Sequence, residues 1–124
     1  MLKGADLRGT TLAASDLADV DLSNAKLAEI SFLRSTLADA NFPDANFTYS
    51  HLDAAIMINC ELSGVRFDGA ILLDADFTDS NWWRATGVNI DLIEEFKFRY
   101  SPKTPALQED YLQWLEESAS PCDF

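Results

Sequence analysis

The chain contains a single histidine, His51, and two cysteines, Cys60 and Cys122, among 124 residues. A Ser-His-Asp or Cys-His arrangement needs partners that His51 lacks, and a multi-histidine metal site cannot be assembled in one copy. Two cysteines are too few for a disulfide framework, and their spacing is not that of metal ligands. Basic residues are also scarce: nine against twenty-one acidic ones, for a formal charge of -12. That balance argues against direct contact with nucleic acid or an anionic membrane surface, both of which select cationic proteins. No apolar run approaches the roughly 18–20 residues that span a bilayer, and no basic-then-apolar leader opens the chain, so the expected compartment is the cytoplasm. Apolar residues nevertheless make up 48% of the sequence, enough for one domain with a buried core.

What the sequence does have is a period of five. From Leu7, every fifth residue is large and apolar: Leu7, Leu12, Leu17, Leu22, Leu27, Phe32, Leu37, Phe42, Phe47, Leu52, Met57, Leu62, Phe67, Leu72, Phe77 and Trp82. Leu2 extends this frame to the start. Two residues before each centre lies a small slot, and thirteen of its sixteen occupants are Ala, Ser, Thr or Cys; Val20, Ile30 and Val65 are the bulky exceptions. Residues two apart on an extended backbone point to the same side, so each unit sends one bulky and one small side chain inward.

The position two after each centre carries turn chemistry. Gly4, Gly9, Gly64 and Gly69 share it with Asp19, Asn24, Asp39, Asp44, Asn59, Asp74 and Asp79. Gly, Asn and Asp tolerate the positive φ that a type II turn requires at its second central residue, and Pro43 suits the first. The four repeat glycines are thereby explained without a phosphate-binding loop. Period five fits neither a helical stripe of 3.6 nor the alternation of a long strand. A corner in every unit resolves the conflict. Four corners close a square coil of about twenty residues, and coils stack at roughly 4.8 Å. The predicted fold is an all-β solenoid, a quadrilateral β-helix of about four coils over residues 1–87, with its interior filled by side chains.

The pattern A-[DN]-[LF]-x-x, as in Ala5-Asp6-Leu7, Ala40-Asn41-Phe42, Ala45-Asn46-Phe47 and Ala75-Asp76-Phe77, resembles the pentapeptide repeat protein family. The resemblance runs through residues 1 to about 87 without a frame shift and implies a right-handed β-helix. With Asn81-Trp82-Trp83-Arg84-Ala85 and the tail after it, the chain looks most like the small cyanobacterial members. Relatives in the thylakoid lumen supply an alternative compartment.

Residues 88–124 read as a helical cap within the same compact domain. Ile90, Leu92, Ile93 and Phe96 would share one side of a first helix over 88–100, capped by Asn89 or Asp91. Thr104-Pro105 starts a second helix, with Leu107, Tyr111, Leu112, Trp114 and Leu115 as its apolar stripe to about Ser118. The cap is expected over the open end of the last coil, as a solenoid requires; docking a second copy is the alternative. No comparable cap is read before the Leu2 centre, so this edge is expected to be accessible to pairing, with Lys3 and Arg8 as charged guards, unless residues precede Met1.

No catalytic, cofactor or metal residue is expected, and the protein is read as non-enzymatic. Cys60 falls in a small inward slot. Recognition is assigned to the outer walls: Asp16, Asp19, Asp39, Asp76 and Asp79 around Leu17, Leu37, Met57 and Phe77, interrupted by Ile56 and Ile58, and a neighbouring wall that exposes Leu33, Ile71 and Leu73. Contiguous exposed apolar groups mark contact surfaces, unless the tail covers them. The expected role is a scaffold for an unknown protein partner, as a monomer or weak dimer. The family supplies an alternative, an acidic DNA mimic that binds a type II topoisomerase such as gyrase.

Overall fold

A computed structural model describes residues 2–118; Cys122 lies outside them. Parallel β-bridges join residues twenty apart and nothing else. They form four ladders: Asp6–Lys26–Asn46–Arg66–Thr86, Thr11–Ser31–His51–Ile71, Asp16–Thr36–Ile56–Asp76 and Asp21–Asn41–Glu61. Each bridge residue from Lys26 onward turns both its polar groups toward the preceding layer. Lys26 N–H donates to the Ala5 carbonyl at 2.8 Å, and the Lys26 carbonyl accepts from Leu7 N–H at 2.9 Å. The straight segments are too short for extended strands, so each ladder is a stack of single bridges.

All sixteen corner residues from Gly4 to Asp79 have φ between 55° and 73°. The set includes Ala14, Glu29, Arg34, Tyr49 and Ala54, whose side chains gain nothing from this conformation. Stacking dictates the corner, since thirteen of the sixteen corner N–H groups, from Gly4 to Gly64, also bond to the next layer, as Arg34 N–H does to the Asp53 carbonyl at 3.0 Å. Most corners close with a bond from the small-slot N–H to the centre carbonyl, such as Ala45 to Phe42 at 2.9 Å. Two are opened by a hydroxyl from the layer above. Ser35 Oγ donates to the Leu12 carbonyl at 2.6 Å and accepts from Ser15 N–H at 3.3 Å. Ser80 Oγ bridges the Met57 carbonyl and Cys60 N–H in the same way. Ser50 Oγ, in an equivalent slot, is buried without a partner because the Leu27–Ile30 corner keeps its own direct bond.

The centres fill the interior. Phe47 is fully buried, with Phe42, Phe67 and Phe32 at ring-centroid distances of 5.1, 5.5 and 6.0 Å. In the first layer Leu7, Leu12 and Leu17 are only half-buried. No backbone bonds reach the N–H or carbonyl groups of Asp6, Thr11 and Asp16, which have no described layer before them. They form the lower edge of the described stack. Arg8, expected as a guard of that edge, is folded onto Asp6 with N–O distances of 2.6 and 2.8 Å. This pair holds the Asp6 carboxyl at about 2.

The repeat ends in aromatic chemistry. At Trp82–Arg84 a 3-10 turn replaces the corner. As the main chain bends away, the Asn81 side-chain oxygen accepts Leu62 N–H at 2.6 Å, a role that main-chain carbonyls fill in lower layers. Two helices follow, α1 (Ile90–Arg99) and α2 (Pro105–Ser118). Asn89 caps α1 by accepting from Asp91 N–H at 2.8 Å. Phe96 of α1 is buried against Phe77 and Trp82, at 5.0 and 5.6 Å between rings. Tyr100 ties down the connection: its hydroxyl donates to the Ala75 carbonyl and its carbonyl accepts from Trp82 Nε1. α2 has no buried residue and is held by a latch, in which Asp110 accepts from Trp83 Nε1 at 2.7 Å and from Arg84 at 2.8 and 2.9 Å. The helical stripes are narrower than their sequence pattern predicts: Ile90 and Leu112 point to solvent, because the end of the rod is small and aromatic rings already occupy it.

Candidate interaction surface

The helices sit on the end of the stack and leave the walls of Ile71 and Ile56 uncovered. Leu73 is 66% exposed, Ile71 41%, Leu33 39% and Ile56 39%. Of the two expected positions for the tail, the structure shows cover of the coil end by Phe96, Tyr100, Tyr111 and Trp114. Ile71 lies in the ladder that carries His51, and Ile56 in the adjacent ladder between Thr36 and Asp76. Between these two walls runs a corner column of Leu33, Asp53 and Leu73. Its carbonyls each accept a bond from the layer below, Leu33 from Ala14 N–H, Asp53 from Arg34 N–H and Leu73 from Ala54 N–H. Asp53 is the residue that sequence reasoning missed. Its signal was available as a carboxylate interrupting two leucines at the twenty-residue period. One of its oxygens is shielded from water with no donor in reach, and the nearest basic side chain is that of His51, with Nδ1 at 4.0 Å.

The aspartates named from the sequence do not converge. Asp16 and Asp76 share a ladder with Ile56 between them, and each accepts from a backbone N–H two residues on, at 3.2 and 3.0 Å. Asp19, Asp39 and Asp79 fall in the positive-φ corners. There Asn59 Nδ2 donates to Asp39 Oδ1 at 2.7 Å. Asp16 and Asp76 are held in local turn bonds, Asp39 bonds to the next layer, and Ile56 and Ile58 break the row in its third layer. Ile58 is half-buried.

Other concavities offer no convergent reactive groups. An open groove of about 530 Å3 is lined by Asn41, Asn59, Glu61, Asp79, Asn81 and the first turn of α2. Two of its polar side chains bond to each other, Asn81 Nδ2 donating to Glu61 Oε1 at 2.9 Å. Cys60 beside it is buried, donates to the Leu37 carbonyl at 3.0 Å, and has its thiol pushed up to about 12 by burial. Such a thiol is not a nucleophile at neutral pH. Among the described residues, no group of three or more His, Cys, Asp or Glu side chains is arranged to hold a metal ion, and no helix is long and apolar enough to cross a membrane.

A stack of five-residue corners joined layer to layer by parallel bridges defines a β-helix solenoid. The chain belongs to the pentapeptide repeat family: the family model for pentapeptide repeats matches residues 15–52 and 45–84, with eight copies. The solved structures it resembles are right-handed β-helices of this family. One is HetL of the cyanobacterium Nostoc sp. strain PCC 7120, a pentapeptide repeat protein involved in the regulation of heterocyst differentiation. It is 32% identical, with a TM-score of 0.62 over 63% of this chain and 36% of HetL. The chain thus spans little more than a third of HetL's length. A pentapeptide repeat protein of the Arabidopsis thaliana thylakoid lumen is 20% identical over 87% of both chains, with a TM-score of 0.48. QnrB1, a plasmid-mediated fluoroquinolone resistance protein, is 19% identical over 68% of this chain and 49% of its own, with a TM-score of 0.38. No curated protein sequence matches the chain.

Proposed function

We propose that the protein is a non-enzymatic interaction module, a rigid scaffold whose side walls bind another protein. The observation that carries this is the uncovered apolar group Ile71, Leu73, Leu33 and Ile56 on a protein whose own helices pack elsewhere. The wall residues are Ile56, Ile58, Ile71 and Leu73, edged by Asp16, Asp19, Asp39, Asp76 and Asp79. The scaffold itself we take as a quadrilateral rod of about four coils over residues 1–87, with residues 88–124 as a cap of the same compact domain. Rigidity follows from the stack, where every layer bonds to the next, so the wall reaches its partner already ordered and little conformational entropy is lost on binding.

The test compares the native chain with Ile71→Asp and Leu73→Asp in affinity capture from the source cell. Both side chains are substantially exposed, so melting should change by only about 0.5 kcal/mol, while the partner is recovered with the native chain alone. Equal recovery with all three would refute the assignment to this wall. A large loss of stability would show instead that the group is structural.

A further inference from the structure

The corner column between the two walls has a chemistry that a generic apolar patch does not. Leu33, Asp53 and Leu73 lie on one line along the rod, one per layer, so they are spaced by about 4.8 and 9.6 Å. The outer two are apolar and exposed, and the middle one is an acid with a shielded, donorless oxygen. The Asp53 side chain as a whole is 30% exposed, so a cation can reach the carboxylate from its open side and offset part of the cost of the shielded, donorless oxygen. Ile71 widens the apolar contact at one end, and Ile56 does so on the adjoining wall. Around the line the charge is mostly negative: Asp74 and Asp76 share the layer of Leu73, and Asp16 lies in the first layer, against Arg34.

Resting on the interaction role argued above, we propose that this column is a docking line for a basic amphipathic α-helix lying along the rod axis. The incoming helix presents apolar side chains at i and i+7 to Leu33 and Leu73, and a Lys or Arg at i+3 or i+4 to Asp53. The match is one of pitch. Along a helix, i+3 lies about 4.5 Å and i+7 about 10.5 Å from i. An extended strand repeats on one face at about 6.6 Å and falls out of step with the layers after one contact. Charge decides against a second copy, since pairing this wall with itself would set Asp53, Asp74 and Asp76 against their own kind in a chain of net charge -12.

The probe is a helical peptide with Leu at i and i+7, Arg at i+3 and i+4 and Lys on its far face, titrated calorimetrically into the full chain. A peptide of the same composition, scrambled so that its leucines share no face, is the control. The ordered peptide should bind; Asp53→Asn and Leu73→Asp should each weaken it roughly tenfold or more. Asp44→Asn, the same change of charge on a different corner, should leave affinity unchanged. Melting curves check that each variant is folded. Equal binding of the scrambled peptide, or equal losses in Asp53→Asn and Asp44→Asn, would reduce the effect to diffuse electrostatics and overturn the proposal. A native chain that self-associates in light scattering and is dispersed by Leu73→Asp would name a second copy as the occupant. That result overturns the basic helix, while a cellular partner of other chemistry would leave the scaffold role standing.

Discussion

Left-handed corners held by ordinary residues store strain that can be measured. Glu29 (φ 61°) and Ala54 (φ 57°) are exposed corner residues on different layers and different columns. An L-residue in this region costs roughly 1–2 kcal/mol relative to right-handed backbone. Glycine escapes that cost but brings roughly 0.4–1 kcal/mol of extra freedom to the unfolded chain. Their difference predicts a gain of about 0.5–1 kcal/mol per site for Glu29→Gly and Ala54→Gly. The sites share no partner, so the double variant should gain about 1–2 kcal/mol in urea unfolding and raise Tm by roughly 4–10 °C. Glu29→Ala separates charge from backbone and should move stability by no more than about 0.5 kcal/mol. Gly64→Ala should act in the opposite sense, since its new Cβ would lie 2.1 Å from Asp44 Oδ1 at a φ of 73°. A double glycine variant that melts below the native protein with an unchanged circular dichroism spectrum would refute the claim that stacking imposes the corners.

Other consequences are as direct. Phe47→Ala empties the centre of the aromatic column and should cost about 3–5 kcal/mol in denaturant unfolding. Cys60, buried and with its thiol raised to about 12, should react with a thiol reagent at pH 8 only at the rate of unfolding, whereas a surface thiol reacts at once. Asp110 is held below the ordinary carboxylate range, chiefly by its bonds from Arg84. Its contribution is thus complete above about pH 4, the unfolded value, and is lost as the pH falls through the lower folded value. Tryptophan emission should shift to the red on acidification through that window as α2 lets go, and Asp110→Asn should show the shift already at pH 7. The carboxylate row is broken by Ile56 and Ile58, so the purified chain should leave gyrase supercoiling unchanged; inhibition would revive the DNA-mimic alternative.

The solenoid was legible because its signal is repeated sixteen times in one frame, and a repeated weak preference becomes a strong one. Asp19 or Gly64 alone suggests a turn; the frame also assigns corners to Arg34 and Tyr49, whose residue types argue against it. Helix starts at Asn89 and Thr104 were readable from local capping chemistry. What could not be read depends on contacts distant in sequence. Nothing around Asp110 announces that it will meet Trp83 and Arg84, nor does Ser35 announce that its hydroxyl will open the corner below. Asp53 escaped for a different reason. Its neighbours in space lie twenty residues to either side, and its unsatisfied oxygen is a property of packing rather than of composition.

The twenty-residue register makes reach and recognition separately adjustable. An in-frame copy of a segment such as 31–50 would add one storey, lengthening the rod by about 4.8 Å while the helical lid and the open edge keep their own chemistry. Loss of a single pentad is another matter. It would turn everything above the cut by a quarter revolution, carrying Leu73 off the line it shares with Leu33. Descendants of this gene can therefore grow or shrink by whole storeys and keep their partners, whereas a change of five residues trades one binding face for another.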